Sequence, residues 1–147
     1  MCLRTIHEDE VQKLLPCLEA LAAYHNKVSH NFKGYYPAFS HSVTLERFKR
    51  QLASKESIIA VIGKQQVCGF CKVDITAGSG KIDFLFVFEK QRNKGYGKLL
   101  MDWAMQTLKE ADCTRIEVKV VDGNEVIHLY EKYGFKINAH ILSHNLK

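Results

Sequence analysis

The chain has no apolar run approaching the ~20 residues of a membrane-spanning helix, which excludes a helical membrane protein. It also lacks a secretory leader: Met1-Cys2-Leu3-Arg4-Thr5-Ile6 turns acidic at Glu8-Asp9-Glu10, where a leader would still be apolar. The cytoplasm is the location these absences imply. A complete disulfide framework is missing too, because five cysteines cannot all pair. Cys68-Gly69-Phe70-Cys71 is a lone C-x-x-C in an apolar, β-rich run, where side chains three apart point to opposite faces. No second ligand pair follows it, so neither zinc nor any other metal is implied. A dense basic block is absent outside Lys90 to Lys98. The net charge of +5 is otherwise spread over both halves among nearly as many acids, which argues against a nucleic-acid partner. Repeats, linkers and low-complexity tracts are absent as well, and 147 residues fit one domain, 1–147, with a sizeable core.

What is present alternates between strand and helix signals. Leu3 to Ile6 predicts a first strand. Asp9 or Glu10 then opens a helix with Val11, Leu14, Leu15, Leu18, Leu21 and Ala22 on its apolar face. Pro16 either bends that helix or marks its proper start near Leu15. Tyr24 to Ser42 is rich in aromatic and His residues but aperiodic, which predicts a long loop or broken helix beside a binding site, or a solvated connection. Thr44 reads as the cap of a helix that buries Leu45, Phe48 and Leu52. Ser57 to Ile62 and Val67 to Ile75 read as a hairpin, and a glycine-rich turn over Thr76 to Gly80 enters the next strand. Arg115 to Val121 alternates as a strand, and Asn124 or Asp122 caps a helix over Glu125 to Tyr133. Gly134 ends that helix, and Phe135 to Leu142 reads as a last strand. The order β-α-α-β-β-β-α-β-α-β implies an α/β (α+β) fold with one mixed sheet flanked by helices.

The most informative stretch is the strand Ile82 to Phe88, followed by Glu89-Lys90-Gln91-Arg92-Asn93-Lys94-Gly95-Tyr96-Gly97-Lys98 and a helix through Leu99, Leu100, Trp103, Ala104 and Leu108. Glycines let the backbone turn tightly, a helix N-terminus offers unpaired N–H groups, and the surrounding cations favour an anion such as a diphosphate. A Walker loop needs Ser or Thr where Leu99 stands, and the dinucleotide fingerprint needs a third glycine where Leu100 stands. Arg92-Asn93-Lys94-Gly95-Tyr96-Gly97 instead resembles the Arg/Gln-x-x-Gly-x-Gly/Ala signature of the GNAT superfamily of N-acetyltransferases. Asn124-Glu125-Val126-Ile127-His128-Leu129-Tyr130-Glu131-Lys132-Tyr133-Gly134-Phe135 is similar to the second signature of that family. The resemblance covers Ser57 to Leu142. It departs from the family at Asn93, where glycine is usual, at Glu89, near which a proline is usual, and in the spacing from Asn124 to Tyr130, shorter by one.

The resemblance implies a GNAT fold, with a central, mostly antiparallel sheet, and an acetyl-CoA-dependent transfer to a primary amine. The amine would attack directly in a ternary complex, and no metal would take part. It implies that the amides of Arg92, Asn93, Lys94, Gly95, Tyr96, Gly97 and Lys98 hold the diphosphate. Val87 and Phe88 would bond the pantetheine arm through their main chain, and Asn124 would add a cofactor contact. Tyr130 matches the position that hydrogen-bonds or protonates the leaving thiolate; a packed ring is the alternative. Asp83, the strand's only carboxylate, is a candidate base if its surroundings raise its pKa, or else a solvated strand-end residue. Glu117 is a weaker candidate, and His128 reads as a surface residue. The acceptor would be a small molecule or a peptide, since a basic chain is a poor host for a polycation. A homodimer stays open, as does a non-catalytic acyl-CoA-binding module of the same fold.

Overall fold

The computed structural model describes residues 3–146, so Cys2 lies outside it. Strand β1 (Leu3–Thr5) is followed by a 3₁₀ turn over Glu8–Leu14, and α1 (Leu15–Val28) begins one residue before Pro16. Of the two expectations for Pro16, helix start is the outcome, because a proline in the first turn needs no intrahelical donor. Helix α2 (His41–Ala53) starts earlier than expected: the Ser40 hydroxyl caps it by accepting the Val43 amide at 3.3 Å. Thr44 is therefore inside the helix, its own amide already donated to the Ser40 carbonyl.

Strands β2 (Ser57–Ile62), β3 (Gly69–Thr76) and β4 (Ser79–Val87) form an antiparallel meander, and β5 (Arg115–Val118) adds in parallel after α3 (Tyr96–Glu110). The sheet order is β1-β2-β3-β4-β5. Strand alternation gives the sheet two apolar faces. Ile59, Val61, Phe70 and Phe86 pack beneath α1 and α2 with Leu18, Leu45 and Phe48. Ala60, Ile62, Cys71, Val73 and Ile82 pack beneath α3 with Leu100, Met101, Ala104 and Leu108. Helix α4 (Ile127–Lys132) completes the second layer through Tyr130.

One irregularity matters for the site. Lys72 pairs with Phe84 and Val73 with Ile82, so Asp83 is an extra residue in β4, a bulge. The bulge breaks the alternation that would have placed Asp83 with Leu85 and Val87. Its carboxylate turns instead to the α2 face, where it meets Lys72 at 2.7 Å and Arg47 at 3.1 Å. Lys72 is fully buried, lies 5.0 Å from the Phe48 ring centroid, and also bonds Asp74 at 2.6 Å. Removing one partner of such a group strands buried charge, so Lys72→Ala should cost about 3–5 kcal/mol, measurable by chemical denaturation.

The expected last strand is not formed. Residues 135–146 carry no regular element, and Ile137, Ile141 and Leu142 are 65%, 68% and 90% exposed. Period-two patterning supplies a face but not a ladder partner, and β5 offers only four residues of edge. Strand β5 itself stops at Val118, short of the Val121 that the alternation suggested, and α4 is shorter than its expected span.

Candidate active site

The site begins where β4 outruns β5. Their pairing ends at Ile82 with Val118, while β4 continues to Val87, leaving one edge of Asp83 to Val87 open. On its other edge Phe88 donates its amide to the Cys68 carbonyl at 3.0 Å. In an antiparallel ladder the main-chain groups alternate sides, so those of Leu85 and Val87 face the open edge. The Phe88 carbonyl accepts the Gln91 amide at 2.8 Å. Phe88 is thus committed on both its groups, contrary to the sequence expectation, and Val87 remains. The Val87 carbonyl presently accepts Arg92 Nε at 3.1 Å, and the Arg92 guanidinium lies 5.1 Å from the Tyr24 ring centroid.

From Val87 the chain makes a 3₁₀ turn over Glu89–Gln91 and enters α3 through two left-handed residues, Asn93 at φ 66° and Gly95 at φ 81°. Asparagine is among the few side chains that tolerate this region, which explains how Asn93 stands where the signature has glycine. The first intrahelical bond here is Leu99 N–H to the Gly95 carbonyl. The amides of Tyr96, Gly97 and Lys98 therefore have no acceptor within the helix. Gly97 is helical, and a Cβ there would meet only Leu129 Cδ2, at 3.9 Å. The Lys98 ammonium is paired with Asp102 at 2.6 Å, so Lys98 offers its amide rather than its charge.

Helix α4 docks on this mouth. The Tyr133 hydroxyl donates to Asp102 at 2.6 Å, and burial, followed by that bond, pushes its pKa up to about 12. Tyr130 is 5% exposed and stacks edge-on with Phe135 at 5.8 Å. Burial, then the nearby Cys71 thiol, raises its pKa well above the ordinary phenol range. Cys71 is the register partner of Leu85, so Tyr130 sits level with the open edge of β4. Among the described residues no buried side-chain polar atom is sealed without a partner, and none bonds the Tyr130 hydroxyl. That hydroxyl is therefore not sealed in a dry core.

The other sequence candidates lie elsewhere. Burial opposes ionisation of Asp83, but Lys72, Arg47 and Lys81 outweigh it and hold the carboxyl below its ordinary pKa. A base needs the reverse shift. Asn124 Oδ1 accepts the Val126 amide at 3.0 Å and so serves the turn into α4. Glu117 is exposed and paired with Arg115 at 3.3 Å, and His128 is exposed between Glu125 and Glu131.

The loop between α1 and α2 is tied down from two sides. Asn26 Oδ1 accepts the amides of Gly34 and Tyr36, each at 2.9 Å. Asp122, on the turn before α4, accepts the Ser29 hydroxyl at 2.6 Å and the amides of His30 and Asn31 at 2.8 and 3.0 Å. The Ser29 hydroxyl, then these amides, hold the Asp122 pKa below its ordinary value. A lowered carboxyl pKa gives stability that is present above the unfolded value and lost as pH falls through the folded one. Loop amides 30–34 should therefore lose hydrogen-exchange protection under acid conditions, and Asp122→Ala should expose them at neutral pH.

Residues 21–135, well over half of the chain, match the model of the Acetyltransferase (GNAT) family. The chain belongs to the GNAT family. Solved structures agree on the fold. A GCN5-related N-acetyltransferase from Ralstonia eutropha JMP134 superposes with a TM-score of 0.81 at 14% identity, covering 99% of each chain. A predicted acetyltransferase with acetyl-CoA from Clostridium acetobutylicum gives 0.75 at 16% identity, covering 99% of this chain and 96% of its own. An acetyltransferase of Trypanosoma brucei gives 0.68 at 19%, covering 99% of each. No curated protein matches in sequence. The GNAT fold expected from the two signatures is thus present, with a mixed sheet and flanking helices. GNAT acetyltransferases bind an acyl-CoA and an acceptor substrate, and among the described residues no helix is long and apolar enough to cross a membrane.

In this GNAT chain Arg92 bonds the Val87 carbonyl and the Leu129 side chain of α4 approaches Gly97, while Phe88, Asp83 and Asn124 are already engaged with other groups. Sequence reasoning missed three residues. Tyr24 and Asp122 lie far in sequence from the groups they hold, and a buried lysine such as Lys72 cannot be told from a solvated one by period alone.

Proposed function

We propose that this single-domain GNAT protein is an acetyl-CoA-dependent N-acetyltransferase acting on a primary amine of a small molecule or peptide in the cytoplasm. The observation that carries the reading is the open edge of β4 ending at a helix mouth, with Tyr130 near Cys71, the register partner of Leu85 on that strand. The parts suit acetyl-CoA. Left-handed Asn93 and Gly95 let the backbone curl, and the amides of Tyr96, Gly97 and Lys98 lack helical acceptors as a diphosphate requires. Val87 offers a strand edge to the amides of a pantetheine arm, once Arg92 releases its carbonyl.

Bound there, acetyl-CoA supplies an acetyl group already activated as a thioester. A neutral amine forms the new C–N bond as the C–S bond breaks; the electron pair leaves on sulfur and the amine proton passes to water. Tyr130 keeps its proton throughout the neutral range, because its raised pKa exceeds that of a thiol. It therefore stabilises the departing thiolate by donating a charge-assisted hydrogen bond. Asp83, already neutralised by three cations, takes no proton from the amine.

Thiol release across a panel of primary amines tests this. The expected result is turnover whose kcat/KM climbs with pH until the amine's own pKa is passed. An acid limb in the carboxylate range would return Asp83 to the role of base. Tight CoA binding without turnover on any amine would favour the non-catalytic acyl-CoA module instead.

A further inference from the structure

A groove of about 900 Å³ runs between α1, the loop joining β2 to β3, and the end of β4 with the turn that follows it. Its floor is aromatic: Phe86 and Phe88 meet edge-on at 4.9 Å, and Tyr24 closes the end nearest the site. Its rim carries Lys13, Lys27, Lys90 and Arg92 against one acid, Glu89. Lys13 shares Glu10 with Arg4, whereas Lys27 and Lys90 make no ion pair among the described residues. The size suits a small-molecule pocket, and unpartnered cations over half-buried rings are the complement of an apolar anion. The groove also borders the end of β4 where the turn into α3 begins. Arg92 reaches from the Tyr24 ring to the Val87 carbonyl, and Phe86 follows directly on Leu85 along β4.

Building on the N-acetyltransferase reading, we propose that this groove selects the acceptor: a primary amine whose aromatic or bulky apolar body carries a carboxylate or phosphate. The body lies on Phe86, Phe88 and Tyr24, the anion meets Lys27 and Lys90, and the amine is left toward the open edge of β4. The same cations serve the chemistry. Positive charge near an amine disfavours its protonated form, so more of the bound acceptor is neutral and able to attack. Polyamines are rejected on the same ground.

Two measurements on the full chain test this, the first with CoA saturating and the second with acetyl-CoA. The first follows binding of unreactive 3-phenylpropanoate, phenyl phosphate and 3-phenylpropan-1-ol by backbone amide shifts. Both anions should perturb residues 20–27 and 86–91, the alcohol much less, and Lys27→Glu should weaken the anions by about tenfold. Whichever anion binds more tightly identifies the acidic group. The second compares phenylalanine with phenylalaninamide as acceptors. The acid should have the higher kcat/KM, and Lys27→Glu should reverse that order with the KM for acetyl-CoA unchanged. Equal binding of alcohol and anions, or shifts elsewhere, overturns the groove assignment. Thiol release without preference for the acid overturns it too and leaves acetyl transfer standing. If no amine releases thiol while 3-phenylpropanoate binds as expected, acetyl transfer fails and the acceptor role fails with it.

Discussion

Tyr130→Phe should lower kcat by about 10²-fold or more, the range associated with losing one hydrogen-bond donor to a developing anion. Acetyl-CoA affinity should barely change, because the hydroxyl acts on the sulfur only as charge develops there. The fold should tolerate the change. The hydroxyl has no partner among the described residues, so its loss orphans no buried group, while the ring keeps its packing on Phe135. Loss of turnover with unchanged thermal stability is the signature to measure, by steady-state kinetics beside a melting curve. Equal turnover in the variant would reduce Tyr130 to a core ring.

Gly97→Asp should abolish most cofactor binding, by roughly 10²-fold in Kd, since like unit charges at ~4 Å in a site of effective dielectric ~20 repel by about 4 kcal/mol before solvent relief. Its control is Gly97→Ala. A methyl there meets only Leu129 at 3.9 Å, and the φ is helical, so alanine should bind acetyl-CoA normally and gain up to about 1 kcal/mol of helix stability. Aspartate in a first helical turn is itself stabilising by about 0.3–1 kcal/mol through the helix dipole. Affinity and stability should therefore move in opposite directions in the aspartate variant. Isothermal calorimetry and chemical denaturation read the two separately.

The division between what the sequence displayed and what it hid follows the range of the interactions. The turn into α3 was legible because its determinants are local: two glycines, a run of cations, and a helix stripe within twenty residues. Gly134 likewise shows its left-handed φ of 93° directly after α4. Asp83 was misplaced because a bulge is set by the register between two strands, not by either strand's own pattern. Lys72 was invisible for a related reason: its burial depends on Phe48 of α2 and Asp83 of β4, both distant in the chain. Phe88 could not be separated from Val87 until the Cys68 carbonyl was seen to take its amide. The strand expected over Phe135 to Leu142 failed because alternation says which face a residue would take, never whether a neighbouring edge is there to receive it.

Arg92 joins these observations, since it holds the Val87 carbonyl and the Tyr24 ring together. In the proposed complex it must let go of Val87, and Tyr24 then keeps its guanidinium beside the phosphates. A crystal structure of the chain with CoA is the most direct check. It should show the diphosphate within hydrogen-bond distance of the Tyr96, Gly97 and Lys98 amides, and the sulfur beside the Tyr130 hydroxyl. Coenzyme A lodged anywhere else, with those amides facing solvent, would contradict the account.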